Sequence, residues 1–126
     1  MELASVNWAA VITGTIAAFL FGWLIYSPKL FGKGWAEGSG MTLTEDSKPP
    51  SHALILQLIA LFLLALIVGI TETSEAIVAA IIAILATAVF VVANGAFSGK
   101  SRYALSVDGG YVVGAGALMI VAQGLL

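Results

Sequence analysis

The sequence holds no cysteine and a single histidine, His52. Disulfides, thiolate metal sites and multi-histidine metal clusters are therefore excluded. Charge is also scarce. Only 10% of the 126 residues are Asp, Glu, Lys or Arg, against about 25% in a soluble domain. Five Lys and Arg in all cannot build a basic patch for nucleic acid. The net charge of −2 is too small to specify an electrostatic partner. No nucleophile and base stand at a recognisable spacing, and Gly109-Gly110 lacks the Gly-Lys-Ser/Thr of a phosphate loop. These absences point away from an enzyme and from a resident cofactor.

Apolar residues are what the chain has in excess, at 60%. In water they would form large exposed patches and aggregate, so lipid is the solvent that suits them. They fall into four segments of about 18–22 residues: Val6–Tyr26, Ala53–Ile70, Glu75–Ala93 and Leu105–Leu126, the last with a possible start at Gly109. About 20 helical residues cross a hydrocarbon core. Helices are required because backbone polar groups in lipid must be bonded internally, and the segments lack the alternation of barrel strands. The first segment has no basic residues before it and is long for a signal peptide, so it reads as a retained span. The expected fold is all-α, a single-domain integral membrane four-helix transmembrane bundle.

The linkers carry the orientation signal. Lys29, Lys33 and Lys48 lie in the first, and Lys100 and Arg102 in the third. Four crossings put those two linkers on one side, which the positive-inside rule makes cytoplasmic, with both termini outside. Residues 27–52 form the long cytoplasmic loop. Its part from Pro28 to Trp35 is aromatic and basic and is expected along the membrane surface, while Gly38–Ser51 reads as a flexible loop. Trp8, Tyr26, Trp35 and Tyr103 suit interfacial belts. The turn Thr71–Ser74 makes the second and third helices a hairpin, with Thr73 or Ser74 capping the third and Glu75 near its positive end.

Small residues recur at four-residue spacing, which places them on one helix face. Gly14, Ala18 and Gly22 do so on the first helix, and Gly110 and Gly114 on the fourth. Ala76, Ala80, Ala83 and Thr87 mark the third, and Ala65 and Gly69 the second. Such faces let helix backbones approach closely in lipid. Two glycine-rich helices exceed what one small bundle needs, so a homo-oligomer or a larger membrane complex is expected.

The run Gly22-Trp-Leu-Ile-Tyr-Ser-Pro-Lys-Leu-Phe-Gly-Lys-Gly-Trp35 resembles the signature of bacterial membrane proteins grouped as domain of unknown function 1761. Asn7-Trp8 precedes it, as in that family. Asn94 to Lys100 and Asp108-Gly-Gly-Tyr111 are similar to its later motifs, with Ser98 where an acidic residue is usual and Asp108 where Asn is usual. Ile25 stands where an aromatic residue is expected. The resemblance implies a four-span protein of the bacterial inner membrane and no particular activity.

Six polar residues share the cytoplasmic face: Tyr26, Ser27, His52, Asn94, Asp108 and Tyr111. Asp108 has two readings. Followed by Gly-Gly, it can cap a helix starting at Gly109; within a span, it is a candidate ion or proton site. His52 could ligate or titrate, or lie at the interface as an ordinary polar residue. Asn94 could cap the third helix or bond the Tyr26–Ser27 region, and Gln57 suits an interhelical hydrogen bond. The leading expectation is a non-catalytic scaffold or accessory subunit. The alternative is a small oligomeric transporter or channel with a cytoplasm-facing polar site.

The cysteine-free chain offers a direct test of orientation. Thr73→Cys is expected to react with an impermeant maleimide added outside intact cells, and Ser47→Cys is not. The reverse labelling pattern would invert the topology.

Overall fold

The computed structural model describes residues 2–41 and 49–126. Residues 42–48, half of the stretch Gly38–Ser51 read as a flexible loop and including Lys48, thus lie outside the described residues. After a 3-10 turn at Glu2–Ser5 come five helices: α1 (Trp8–Ile25), α2 (Gly32–Gly38), α3 (Ser51–Thr73), α4 (Ile77–Phe97) and α5 (Arg102–Leu125). All but α2 are long and apolar enough to cross a membrane. The chain is therefore a multi-pass helical bundle.

The helix ends differ from the sequence expectation in ways with local causes. Asn7 caps α1 by accepting from the Ala10 N–H at 3.1 Å. The last span begins before Leu105, because Ser101 is extended and its hydroxyl accepts from the Ala104 N–H at 3.1 Å. Asp108 therefore lies in the second turn of α5 and is not its cap. Nor do Thr73 and Ser74 cap α4. Their hydroxyls donate back to the Ile70 carbonyl, and α4 starts after Ala76 with no side-chain cap.

One device ends three of the helices. At the end of α4 the Lys100 N–H bonds the Gly95 carbonyl and the Gly99 N–H bonds Ala96, each at 3.1 Å. This is a Schellman turn, and it needs a left-handed residue at its fifth position. Gly99 supplies it with φ +81°. Gly40 does the same after α2. After α3 the position falls on Glu75, held at φ +53°, where a Cβ makes the left-handed region unfavourable by about 1–2 kcal/mol.

Helix α5 packs against every other helix and is the most buried span, whereas α4 is the least buried. Missing side chains make this possible. A Cβ at Gly14 would lie 3.2 Å from the Met119 Cα, so α1 and α5 approach backbone to backbone. Ala18 is fully buried between them. Gly22 lies under the Tyr111 ring and Gly114 against the Phe21 ring. Gly116 receives Ile84 from α4, and Gly69 of α3 receives Val11 and Gln123. Gly14, Gly22 and Gly114, whose spacing left open whether their faces meet within the chain or between copies, pack inside the chain. Gly110 is the exception, with nothing within 4 Å of its Cβ position.

The outward faces carry large apolar side chains, among them Ile59, Ile82, Val89 and Phe90. Lipid matches them without a packed partner.

A side chain at Gly14 must push α1 off α5. Gly14→Leu is expected to lower the thermal midpoint in mild detergent, by the ~1–3 kcal/mol typical of overpacking. Gly124→Leu, on an open part of α5, is expected to leave the midpoint unchanged or raise it. Circular dichroism melts of the two variants check the difference.

Candidate functional site

The site forms where the end of α1, the short helix α2 and the start of α5 meet. Its centre is Asp108, which is buried. One carboxylate oxygen accepts the Tyr26 hydroxyl at 2.5 Å and the Trp35 indole N–H at 2.9 Å. The other accepts the Lys100 ammonium at 2.9 Å. Lys100 also lies 5.1 Å from the centre of the Trp35 ring, a cation–π distance.

Local backbone rules explain how these donors arrive. Tyr26 follows the last residue of α1, and its N–H still bonds Gly22. The chain then reverses. Phe31 N–H reaches back to the Ile25 carbonyl, and Gly32 N–H to Ser27 at 2.9 Å. Gly32 lies so close to the Tyr26 and Ser27 carbonyls that no side chain fits there. The reversal starts α2, which carries Trp35 back over the bundle. On the other side, the turn at Gly99 folds Lys100 back toward Asp108, two turns along α5. Gly34 and Gly38 let α2 lie directly on Tyr103 and Ser101.

A second layer sits beneath the carboxylate. The Tyr26 ring meets Trp35 and Tyr111 edge-on, with centroids 5.1 and 5.6 Å apart. Phe21 stacks on Tyr111 at 5.9 Å. The Tyr111 hydroxyl donates to the Ala18 carbonyl at 3.2 Å and accepts from Gln57 Nε2 at 3.0 Å. Gln57 is thus the interhelical bond expected of it. Burial, and then the hydrogen bond and charge of Asp108, push the Tyr26 phenol above its ordinary value. Tyr26 therefore remains a proton donor throughout the physiological range.

Of the six polar residues expected together, the structure gathers Tyr26, Asp108 and Tyr111. Ser27 contributes a carbonyl to the chain reversal rather than a hydroxyl to the site. His52 is exposed in the first turn of α3, and its side chain makes no hydrogen bond among the described residues. Asn94 is exposed too, on the last turns of an α4 that runs on to Phe97, and it offers its backbone carbonyl to Ser98. It neither caps that helix nor reaches Tyr26. Two participants were not expected: Trp35, assigned to the interfacial belt, and Lys100, counted only as a topological charge. The i,i+8 spacing of Lys100 and Asp108 across a Gly-Lys-Ser turn was the readable hint.

Chemically, the arrangement is a closed clamp. Each oxygen of Asp108 is occupied by a strong donor, and the carboxylate charge is matched by Lys100. Two shallow hollows lie nearby. One of about 460 Å³ is lined by Gly34, Glu37, Gly38, Ser101 and Tyr103, and one of about 550 Å³ lies between α4 and α5. Asp108 lines neither of them.

A family model described as "Protein of unknown function (DUF1761)" matches residues 9–124. No curated protein and no solved structure matches the chain.

The clamp makes Asp108 a charge-dependent residue, against the cap reading in which Asn would serve equally. Asp108→Asn is expected to lower the thermal midpoint, leaving Lys100 without its counter-charge at a loss of about 1–3 kcal/mol. Trp35 emission should shift to the red as its indole loses its acceptor. Ser101→Ala, which removes the true cap of α5, is expected to lower the midpoint by about 0.5–2 kcal/mol without that emission shift.

Proposed function

We propose that this chain, which belongs to the DUF1761 family by a match over residues 9–124, is a non-catalytic scaffold or accessory subunit of the bacterial inner membrane. The observation that carries the reading is the clamp itself. A transport site needs a carboxylate that can exchange its partner for a proton or a cation. Asp108 instead holds three protein donors drawn from α1, α2 and the α4–α5 turn. Its evident service is to fix the loop-side end of the bundle in one shape, which is what a docking component requires.

The same end carries Lys100 and Arg102, and α2 lies against it. Lys29 and Lys33 flank Leu30 and Phe31, which are exposed. A basic and apolar segment of this kind favours the cytoplasmic interface, with both termini on the outer side. The partner in this reading is a second copy or another membrane protein. Its contact surface is one of the outward apolar faces, since the glycines of α1 and most of those of α5 are already covered.

The experiment pairs cross-linking with charge removal. In native membranes, the tagged chain is expected to cross-link in stoichiometric amount to itself or to one other membrane protein. The variant Lys100→Met with Asp108→Asn removes both charges together. Where it accumulates to wild-type levels, it is expected to keep the cross-link and to complement a deletion. A well-assembled double variant that keeps the cross-link, fails to complement and no longer conducts protons or cations that the wild type conducts in liposomes would replace this reading with transport.

A further inference from the structure

We propose that the groove between α4 and α5 is a binding site for an anionic phospholipid, with the lipid phosphate on Arg102 and an acyl chain over Gly109 and Gly110. The groove is shallow and open, has a volume of about 550 Å³ and is lined by Val92, Arg102, Leu105, Ser106, Gly109 and Gly110.

Its shape comes from two neighbouring glycines with different surroundings. At Gly109 a Cβ would meet Val92 at 2.9 Å, so this glycine is needed for α4 to approach α5. At Gly110 a Cβ would meet nothing within 4 Å. Glycine within a helix is less stable than alanine by about 1 kcal/mol, and no contact inside the chain offsets that loss at Gly110. The absent side chain instead leaves a trough on the outer surface of α5, with Val92 and Leu105 as apolar walls. It is open to the lipid that surrounds the spans.

Charge identifies the occupant. Arg102 is the first residue of α5, is exposed, and lines the mouth of the trough. No acidic residue lines the groove, and among the described residues Arg102 pairs with no carboxylate, the one ion pair there being Lys100 with Asp108. Guanidinium groups bind phosphate oxygens in a two-pronged geometry, and the positive end of the α5 dipole adds to the attraction. A molecule with a phosphate at the interface and a hydrocarbon chain along the span matches both halves of the groove. The inference requires only that the chain is membrane-embedded and is independent of the scaffold reading.

Native mass spectrometry of the full chain in mild detergent tests it, with phosphatidylglycerol and phosphatidylcholine of identical acyl chains as probes. The wild type is expected to retain phosphatidylglycerol about fivefold better, the preference that one basic residue gives at an anionic surface. Arg102→Gln is expected to erase that preference. Gly110→Leu is expected to reduce retention of both lipids with no loss of thermal midpoint. Lys29→Gln with Lys33→Gln, cations outside the groove, should leave the preference intact. Equal retention of the two lipids by the wild type would overturn the site. So would a Lys29/Lys33 effect as large as that of Arg102→Gln. A Gly110→Leu protein that keeps its lipid but falls from dimer to monomer would show that the groove belongs to a second copy.

Discussion

A carboxylate buried beside a membrane interface is tolerable only if its charge and its lone pairs are met, and the fold is arranged around meeting them at Asp108. Its three donors come from positions 26, 35 and 100, three separate stretches of chain. Removing one partner from such a set leaves the others desolvated, which is why breaking a buried pair is far more damaging than never having built it. Lys100 keeps partial contact with solvent, so the damage there is softened. Tyr26 and Trp35 are likewise only half-buried, so the cost falls mainly on the buried carboxylate itself. The loop-side end of the bundle is thereby locked by polar contacts, while the spans below rest on van der Waals packing.

That packing is organised by absence. Lipid supplies no hydrophobic force between helices, so association depends on how closely backbones approach. Each of Gly14, Gly22, Gly69, Gly114 and Gly116 accepts a side chain or a backbone from a neighbouring helix. The consequence is a central α5 with α1, α3 and α4 around it and α2 laid across one end. Because most glycine faces are filled inside the chain, glycine content by itself does not argue for association between copies.

Hydropathy made the four spans legible, because about twenty mostly apolar residues with no Lys or Arg in their interior have one physical use at this length. Four-residue spacing showed which faces carried small residues but not which faces met, since the sequence of one helix holds no record of its partner. Gln57 was read correctly as a polar group that would bond between helices. Asp108 was not. Asp-Gly-Gly is locally indistinguishable from a cap, and only the extended Ser101, seven residues earlier, shows that the helix has already begun. Trp35 was hidden for a different reason. An aromatic near a basic loop fits the interfacial belt, and its bond to Asp108 exists only once α2 has folded back over the bundle. His52 and Asn94 were gathered by shared depth alone, and equal depth does not make two side chains neighbours.

The central position of α5 bears on how the chain is made. Spans enter the bilayer in order of synthesis, and α5 is the fourth. Until it arrives, Gly14 and Gly22 lack their α5 partners, Tyr26 and Trp35 have no acceptor, and α1 packs chiefly on α3. The first three spans then keep the α1–α3 and α3–α4 contacts but lack the helix that touches all of them. Arrival of α5 brings in Asp108, Tyr111 and Ser101 together, and with them the long-range polar contacts at that end among the described residues. A chain cut short before α5 would thus lack both the helix that touches all the others and the carboxylate that the loop-side donors meet.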